Sequence, residues 1–156
     1  MESQVKEKIS ELETKLKSVH AKSIMTKNVI TTTPFAHLSD LANQLIKARV
    51  SGLPVVDKKG KVVGIVTTTD LFIVMGMVLE GTPVGIANME TIDPTVDFAM
   101  STDVISIHKD TTLEEMVKLM RDKNIHTIPV MEGEKLIGVI GRRDVLKKFY
   151  EVVKNL

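Results

Sequence analysis

The second half of this chain repeats the first at a nearly fixed offset. Met100 minus Met25, Val104 minus Val29, Leu113 minus Leu38 and Pro129 minus Pro54 all give 75, while Gly138 minus Gly64 and Asp144 minus Asp70 give 74. One residue has therefore been lost in the turn before Gly138. A unit this long, present twice, argues for two similar lobes, because a solenoid needs at least three units to bury its core. Each copy reads as β-α-β-β-α. A lobe of that size with a small sheet is marginal alone. The expectation is an α/β (α+β) protein whose two lobes pack by pseudo-twofold symmetry and so carry two equivalent clefts.

The pattern along the chain supplies the elements. Val5, Ile9, Leu12, Leu16 and Val19 are spaced 4, 3, 4, 3 among Lys and Glu, so residues 1–20 form an extra N-terminal amphipathic helix. Its seam lasts about two heptads, too short to argue for a coiled coil, and packing on its own lobe is expected over pairing with a second subunit or client. Repeat 1, residues 21–80, begins with a strand at Val29–Thr33 closed by Pro34. A helix follows, with Leu38, Leu41, Ala42, Leu45 and Ile46 on one face. A hairpin then joins Leu53–Asp57 to Val62–Val66 through Lys58-Lys59-Gly60, and a second helix is predicted from Asp70 to about Glu80. Residues 81–95 hold Gly81, Pro83, Gly85, Asp93 and Pro94 and read as a connector. Repeat 2 fills residues 96–156: a strand at Val104–Ile107, a helix through Leu113, Met116, Val117 and Met120, strands at Ile128–Val130 and Leu136–Ile140, and a C-terminal helix from Asp144.

Two stretches draw the chemistry. Gly64-Ile65-Val66-Thr67-Thr68-Thr69-Asp70 runs from β-branched residues into hydroxyls and stops at a carboxylate suited to cap a helix. Strand end, hydroxyl and helix N-terminus converge there, which makes a site for a phosphate or a sugar hydroxyl. The junction returns as Gly138-Val139-Ile140-Gly141-Arg142-Arg143-Asp144.

Composition removes the competing classes. Hydrophobic residues are 43% of the chain but aromatics only 3%, so the core is aliphatic and no stacking platform for nucleic acid can be built. Lys plus Arg number 21 against 20 Asp plus Glu, and a net charge of +1 gives no long-range attraction for nucleic acid or an anionic membrane. The chain has no Cys, its charged N-terminus lacks the apolar core of an export signal, and its longest apolar run, Leu71–Leu79, is about half of the ~20 residues that span a bilayer. A soluble, cytoplasmic protein is expected. His20, His37, His108 and His126 have no metal-ligand spacing, and neither a nucleophile elbow nor a P-loop is present. Nothing points to an enzyme, a cofactor or a metal.

Ile24-Met25-Thr26 and Ala99-Met100-Ser101, Val50-Ser51-Gly52-Leu53-Pro54-Val55-Val56-Asp57, and Gly64-Ile65-Val66-Thr67-Thr68-Thr69-Asp70-Leu71 resemble the cystathionine β-synthase (CBS) domain, here as a stand-alone tandem pair. The resemblance covers roughly residues 21–80 and 96–150. It implies a regulatory module that binds AMP, ADP or ATP, or S-adenosylmethionine-type ligands, in clefts between paired repeats, and signals to a regulated protein by conformational shift, as a homodimer. On this resemblance Thr67 contacts phosphate or ribose and Asp70 accepts from ribose hydroxyls, while Thr33, Leu38, Ser51, Gly52, Leu53 and Pro54 line base and phosphate. Their counterparts are His108, Leu113, His126, Thr127, Ile128 and Pro129, with Gly141, Arg142, Arg143 and Asp144 at the second signature. There Gly141 replaces the hydroxyl residue, which weakens the ribose contact, while Arg142 and Arg143 add forked donors for phosphate. His126 and Arg143 match phosphate-contacting positions, so this end is expected to prefer more highly phosphorylated ligands. The competing expectation is a dimeric interaction scaffold that has lost ligand binding.

Overall fold

The computed structural model describes residues 1–85 and 91–156, so part of the connector, residues 86–90, lies outside the described residues. In chain order the elements are α1 (Glu2–Ser18), α2 (Ala21–Ile24), α3 (Leu38–Ala48), β1 (Gly52–Val56), β2 (Val62–Thr67), α4 (Thr68–Leu79), α5 (Val96–Ala99), β3 (Ile107–His108), α6 (Leu113–Lys123), β4 (Thr127–Glu132), β5 (Lys135–Gly141) and α7 (Arg142–Lys154). They fall into two compact units. One joins Met1–Val29 to Ser106–Leu156, and the other is Ile30–Ile105. Each unit therefore contains the leading segment of the other repeat: residues 21–29 in the first and 96–105 in the second.

In the unit Ile30–Ile105, β1 and β2 form an antiparallel hairpin, with Gly52 opposite Thr67 and Pro54 opposite Ile65. Leu41, Val55, Val66 and Val96 are fully buried in its core. The strand predicted at Val29–Thr33 shrinks to one parallel bridge, Thr32 to Val55. Thr32 N–H donates to the Pro54 carbonyl at 3.1 Å and its carbonyl accepts from Val56 N–H at 2.9 Å. Its hydroxyl is buried without a partner among the described residues, where the other repeat has the apolar Ile107. A buried orphan hydroxyl weakens a strand that Pro34 also stops.

The other unit has the sheet β3-β4-β5, with β3 parallel and β5 antiparallel to β4. The strand predicted at Val104–Ile107 is Ile107–His108. The second hairpin is shorter: two residues separate β4 from β5 where five separate β1 from β2, which locates the change of offset. In the longer turn Asp57 Oδ1 accepts from the N–H groups of Lys59 and Lys61, both at 2.9 Å. The seam of α1 divides. Leu16 is buried and Leu12 and Val19 pack beside it on the core of this unit, while Val5 and Ile9 are exposed.

The leading segments lie along the second hairpin strands. Thr26 and Val139 exchange backbone hydrogen bonds of 2.9 and 3.0 Å, and Ser101 and Ile65 do the same at 2.9 Å each. Met25 then lies on Gly138 and Met100 on Gly64, so the methionines occupy space that a side chain at either glycine would need. The short helices α2 and α5 precede these methionines and have no periodic signature. Among the described residues no helix is long and apolar enough to cross a membrane.

Candidate functional site

Each hairpin brings its two strand ends to the start of a helix. Gly52 pairs with Thr67, and Thr68 N–H donates to the Ser51 carbonyl at 2.8 Å, so the first N–H of α4 is consumed in closing the strand end. The helix starts at Thr68 rather than Asp70. Thr67 is the N-cap, because its side chain reaches the third helical N–H while Asp70 answers from that third position. Asp70 Oδ2 accepts from Thr67 N–H at 2.8 Å and from Thr67 Oγ1 at 3.1 Å, and Thr67 Oγ1 accepts from Asp70 N–H at 3.4 Å. Hydroxyl and carboxylate thus hold one another. Among the described residues no donor reaches Asp70 Oδ1. Thr69 is exposed and Thr67, Thr68 and Asp70 are half-buried.

The second junction repeats the backbone without the hydroxyl. Thr127 pairs with Gly141, and Arg142 N–H donates to the His126 carbonyl at 3.0 Å. The helix α7 starts at Arg142, with Gly141 as N-cap. Asp144 Oδ2 accepts from Gly141 N–H at 2.8 Å, but Gly141 has nothing to return, so only half of the capping box exists. Both Arg142 and Arg143 are exposed, and His126 Nε2 is buried without a hydrogen-bond partner among the described residues.

The structure brings Ser51, Gly52, Thr67 and Asp70 together, and likewise His126, Thr127, Gly141, Arg142 and Asp144, with Arg143 adjacent in the first turn of α7. Leu53, Pro54, Ile128 and Pro129 sit next to them on the strands, but their side chains are buried. Leu38 and Leu113 are core residues of α3 and α6. Thr33 and His108 lie elsewhere. His108 pairs with Met131, four residues along β4 from Thr127 and so about 13 Å away at a strand rise of ~3.3 Å. It sits in a polar turn, its N–H on Thr111 Oγ1 at 3.0 Å and its Nδ1 accepting from Asp110 N–H at 3.2 Å. Thr33 follows Thr32, which is bridged to Val55, and stands equally far from Gly52. Because both pairings are parallel, the residues leading back toward the junctions are the ones before them: Ile30 and Thr31 in one unit, Ser106 in the other. Ile30 is an exposed aliphatic, a surface suited to the face of a ring. The parallel order of the first and second strands of each repeat is the signal that identifies them. Among the described residues no cluster of His, Asp or Glu could hold a metal ion.

Comparison with known proteins gives this geometry a family. The CBS domain profile matches residues 21–76 and 96–151. The chain is 31% identical over 129 residues to the inosine-5'-monophosphate dehydrogenase of Methanocaldococcus jannaschii, a match covering 82% of this chain and 23% of that protein. It is 30% identical over 125 residues to the uncharacterized protein YlbB of Bacillus subtilis, covering 80% of this chain and 78% of YlbB. Six of the curated relatives are much longer, and the chain spans between 23% and 45% of their length. Among solved structures, the CBS domain pair of protein MJ0100 in complex with 5'-methylthioadenosine and S-adenosyl-L-methionine is similar at TM-score 0.70 and 27% identity, covering 85% of this chain and 97% of that one. CBSX2 in complex with AMP shares the fold at TM-score 0.70 and 22% identity, covering 86% and 98%. The profile covers most of the chain and both junctions fall inside it: this chain belongs to the CBS domain family, with two copies of the domain.

Proposed function

We propose that the chain is a regulatory ligand-sensing module that takes adenosine-containing compounds, either AMP, ADP and ATP or S-adenosylmethionine-type ligands, at its strand-end junctions. The observation that carries the reading is the mutual hold of Thr67 and Asp70. One carboxylate oxygen is spent on Thr67 and the other is left to accept from a ribose hydroxyl, with the N-terminus of α4 beside it. The similarity to MJ0100, whose ligands share an adenosine moiety, supports the same class. At the second junction the missing hydroxyl lets an anion approach the Gly141 backbone, and Arg142 and Arg143 offer forked donors, so this end is assigned to phosphate-bearing ligands. The reading gives the module no chemistry of its own and places it in the cytoplasm, where such ligands occur. Signalling follows from differential affinity: a ligand can shift the module only as far as it binds one arrangement better than another.

A second reading rests on α4. Phe72, Ile73, Met75 and Leu79 are exposed on it, and no charged residue lies between Asp70 and Glu80. Such a face suits an interaction scaffold, with a second copy of the chain as partner. Thermal shift with AMP, ATP, S-adenosylmethionine and GTP, run on the wild type and on Asp70→Asn, separates the two. Ligand at ~100 times its dissociation constant adds about 2.7 kcal/mol. An adenosine-selective shift lost in the variant supports the sensor, and no shift in either protein supports the scaffold.

A further inference from the structure

The helices α3 and α6 are equivalent, yet they start differently. The helix α6 caps itself: Glu115 N–H donates to Thr112 Oγ1 at 3.2 Å and Thr112 N–H to Glu115 Oε2 at 2.9 Å. The offset of 75 puts His37 and Asp40 in those two places on α3, and among the described residues the His37 side chain bonds no N–H of that helix. The cap comes from the connector instead. Asp93 Oδ1 accepts from Ser39 N–H at 2.9 Å and Oδ2 from Ser39 Oγ at 2.6 Å. The same connector residue holds His37, whose Nδ1 lies 2.9 Å from the Asp93 carbonyl and donates to it.

The backbone around these caps is the same in both units. Leu113 N–H donates to the Val19 carbonyl at 2.8 Å and Leu38 N–H to the Pro94 carbonyl at 2.9 Å, and 94 minus 19 is again 75. Asp93 is therefore the counterpart of Ser18, whose hydroxyl donates within α1 to the Lys15 carbonyl at 2.7 Å. The borrowed cap belongs to the unit Ile30–Ile105 alone. Beyond Asp93 the start of α5 stays bonded to the turn before α3, with Val96 N–H on the Ala36 carbonyl at 2.8 Å and Asp97 N–H on the Pro34 carbonyl at 3.0 Å. That turn leads directly from Thr32, the residue bridged to β1.

We propose that Asp93 is a positioning residue for this unit's ligand site, a latch through which residues 91–97 and the first turn of α3 open and close as one. Closing the latch holds the turn at Pro34–Ser39, and with it the segment Ile30–Thr32 that runs along β1 toward the Thr67–Asp70 junction. A ligand that orders Ile30–Thr32 then also closes the connector, and an opened connector loosens the site. This last step rests on the ligand-sensing reading given above.

Amide hydrogen exchange on the full chain tests the latch, with two variants. In Asp93→Ala the amides of Leu38 and Ser39 and those of residues 91–93 and 95–97 should exchange about fivefold faster together, the factor that the loss of one helix cap corresponds to. Adding His37→Thr and Asp40→Glu to Asp93→Ala copies the self-capping of α6, which bonds the amides of residues 37 and 40, and should protect those two while Ser39 and residues 91–93 and 95–97 stay fast. With AMP or S-adenosylmethionine at saturation, connector exchange should slow in the wild type and not in the self-capped variant, although both bind. Unchanged exchange at Ser39 and the connector in Asp93→Ala overturns the latch, as does equal slowing of the connector in the self-capped variant. If the wild type binds neither compound, the ligand-sensing reading falls, and the ligand-free comparison alone decides the latch.

Discussion

Gly64 and Gly138 occupy the same place in the two repeats, and replacing each by alanine should have unequal consequences. A Cβ at Gly64 would lie 2.7 Å from Met100 Sδ and 2.9 Å from the Ser101 carbonyl oxygen. That oxygen cannot retreat, since Ser101 and Ile65 are tied by reciprocal backbone hydrogen bonds of 2.9 Å. The three nearest neighbours of a Cβ at Gly138 are all Met25 side-chain atoms: Sδ first, then Cγ at 2.8 Å and Cβ at 3.1 Å. Methionine is unbranched, so Sδ and Cγ can swing aside and leave only the Cβ contact, which asks the backbone for a few tenths of an ångström. Overpacking against fixed atoms costs ~1–3 kcal/mol, so Gly64→Ala should lose about 2–3 kcal/mol and Gly138→Ala about 1 kcal/mol. For a chain of this size the first loss lowers the melting temperature by about 5–10 °C. Urea denaturation and thermal melts of both variants provide the measurement. Removing the sulfur in Met100→Ala should not rescue Gly64→Ala, because the carbonyl contact persists. Equal losses in the two glycine variants, or full rescue by Met100→Ala, would refute the argument that the pinned backbone decides the cost.

Further expectations follow from single residues. Arg49 ends α3 at φ 56° where Asn124 ends α6 at φ 50°, and left-handed backbone disfavours a long side chain, so Arg49→Gly should raise stability by about 0.5–1 kcal/mol in urea titration. Thr112→Ala removes one arm of the capping box of α6 and should lower stability by ~1 kcal/mol, while His37→Ala, which removes no such cap, should cost clearly less. The Lys118 ammonium, 3.0 Å from Glu114, holds that carboxyl below its ordinary 4.5. A lowered folded-state value stabilises above the ordinary range and is lost as pH falls through the folded value, so Glu114→Gln should flatten stability against pH on the acid side only. The Glu132 carboxylate, 3.1 Å from Lys109, raises the Lys109 pKa above 10.5, and that contribution is present at neutral pH and lost as pH rises through the raised value. The Lys109–Glu132 pair is exposed and Glu114 is half-buried, so high salt should shrink the lysine effect more than the glutamate effect.

Local signals carried most of the fold. The offset of 75 and its change to 74 identified both repeats and the turn that was shortened, and the seams Leu38–Leu41–Leu45 and Leu113–Met116 identified α3 and α6. A carboxylate before an apolar run is a good N-cap, so the sequence predicts the helix after β2 from Asp70. Thr67 wins that position because its hydroxyl and the Asp70 carboxylate satisfy two N–H groups between them. β-Branched residues favour a strand at Val29–Thr33, but Thr32 buries a hydroxyl and Pro34 follows, so only one bridge forms. Long-range pairings left little trace. Met25 lies on Gly138 and Asp93 caps α3 across 54 residues of chain, and neither partner predicts the other by spacing. For the candidate site, the residues flanking each strand-helix junction were legible from the motif. Thr33 and His108 were assigned beside them, and parallel pairing carries those two residues to the other end of the strand.

Thr67 and Asp70 are proposed above as the adenosine-binding end of the first junction. An NMR titration of the labelled chain with AMP and with S-adenosylmethionine, following backbone amides, tests it residue by residue. The account predicts saturable shifts centred on Ser51, Gly52 and Thr67 to Asp70, with Ile30 and Thr31 responding, GTP silent and the pattern abolished in Asp70→Asn. Shifts confined to other residues, or binding of undiminished affinity in Asp70→Asn, would contradict it.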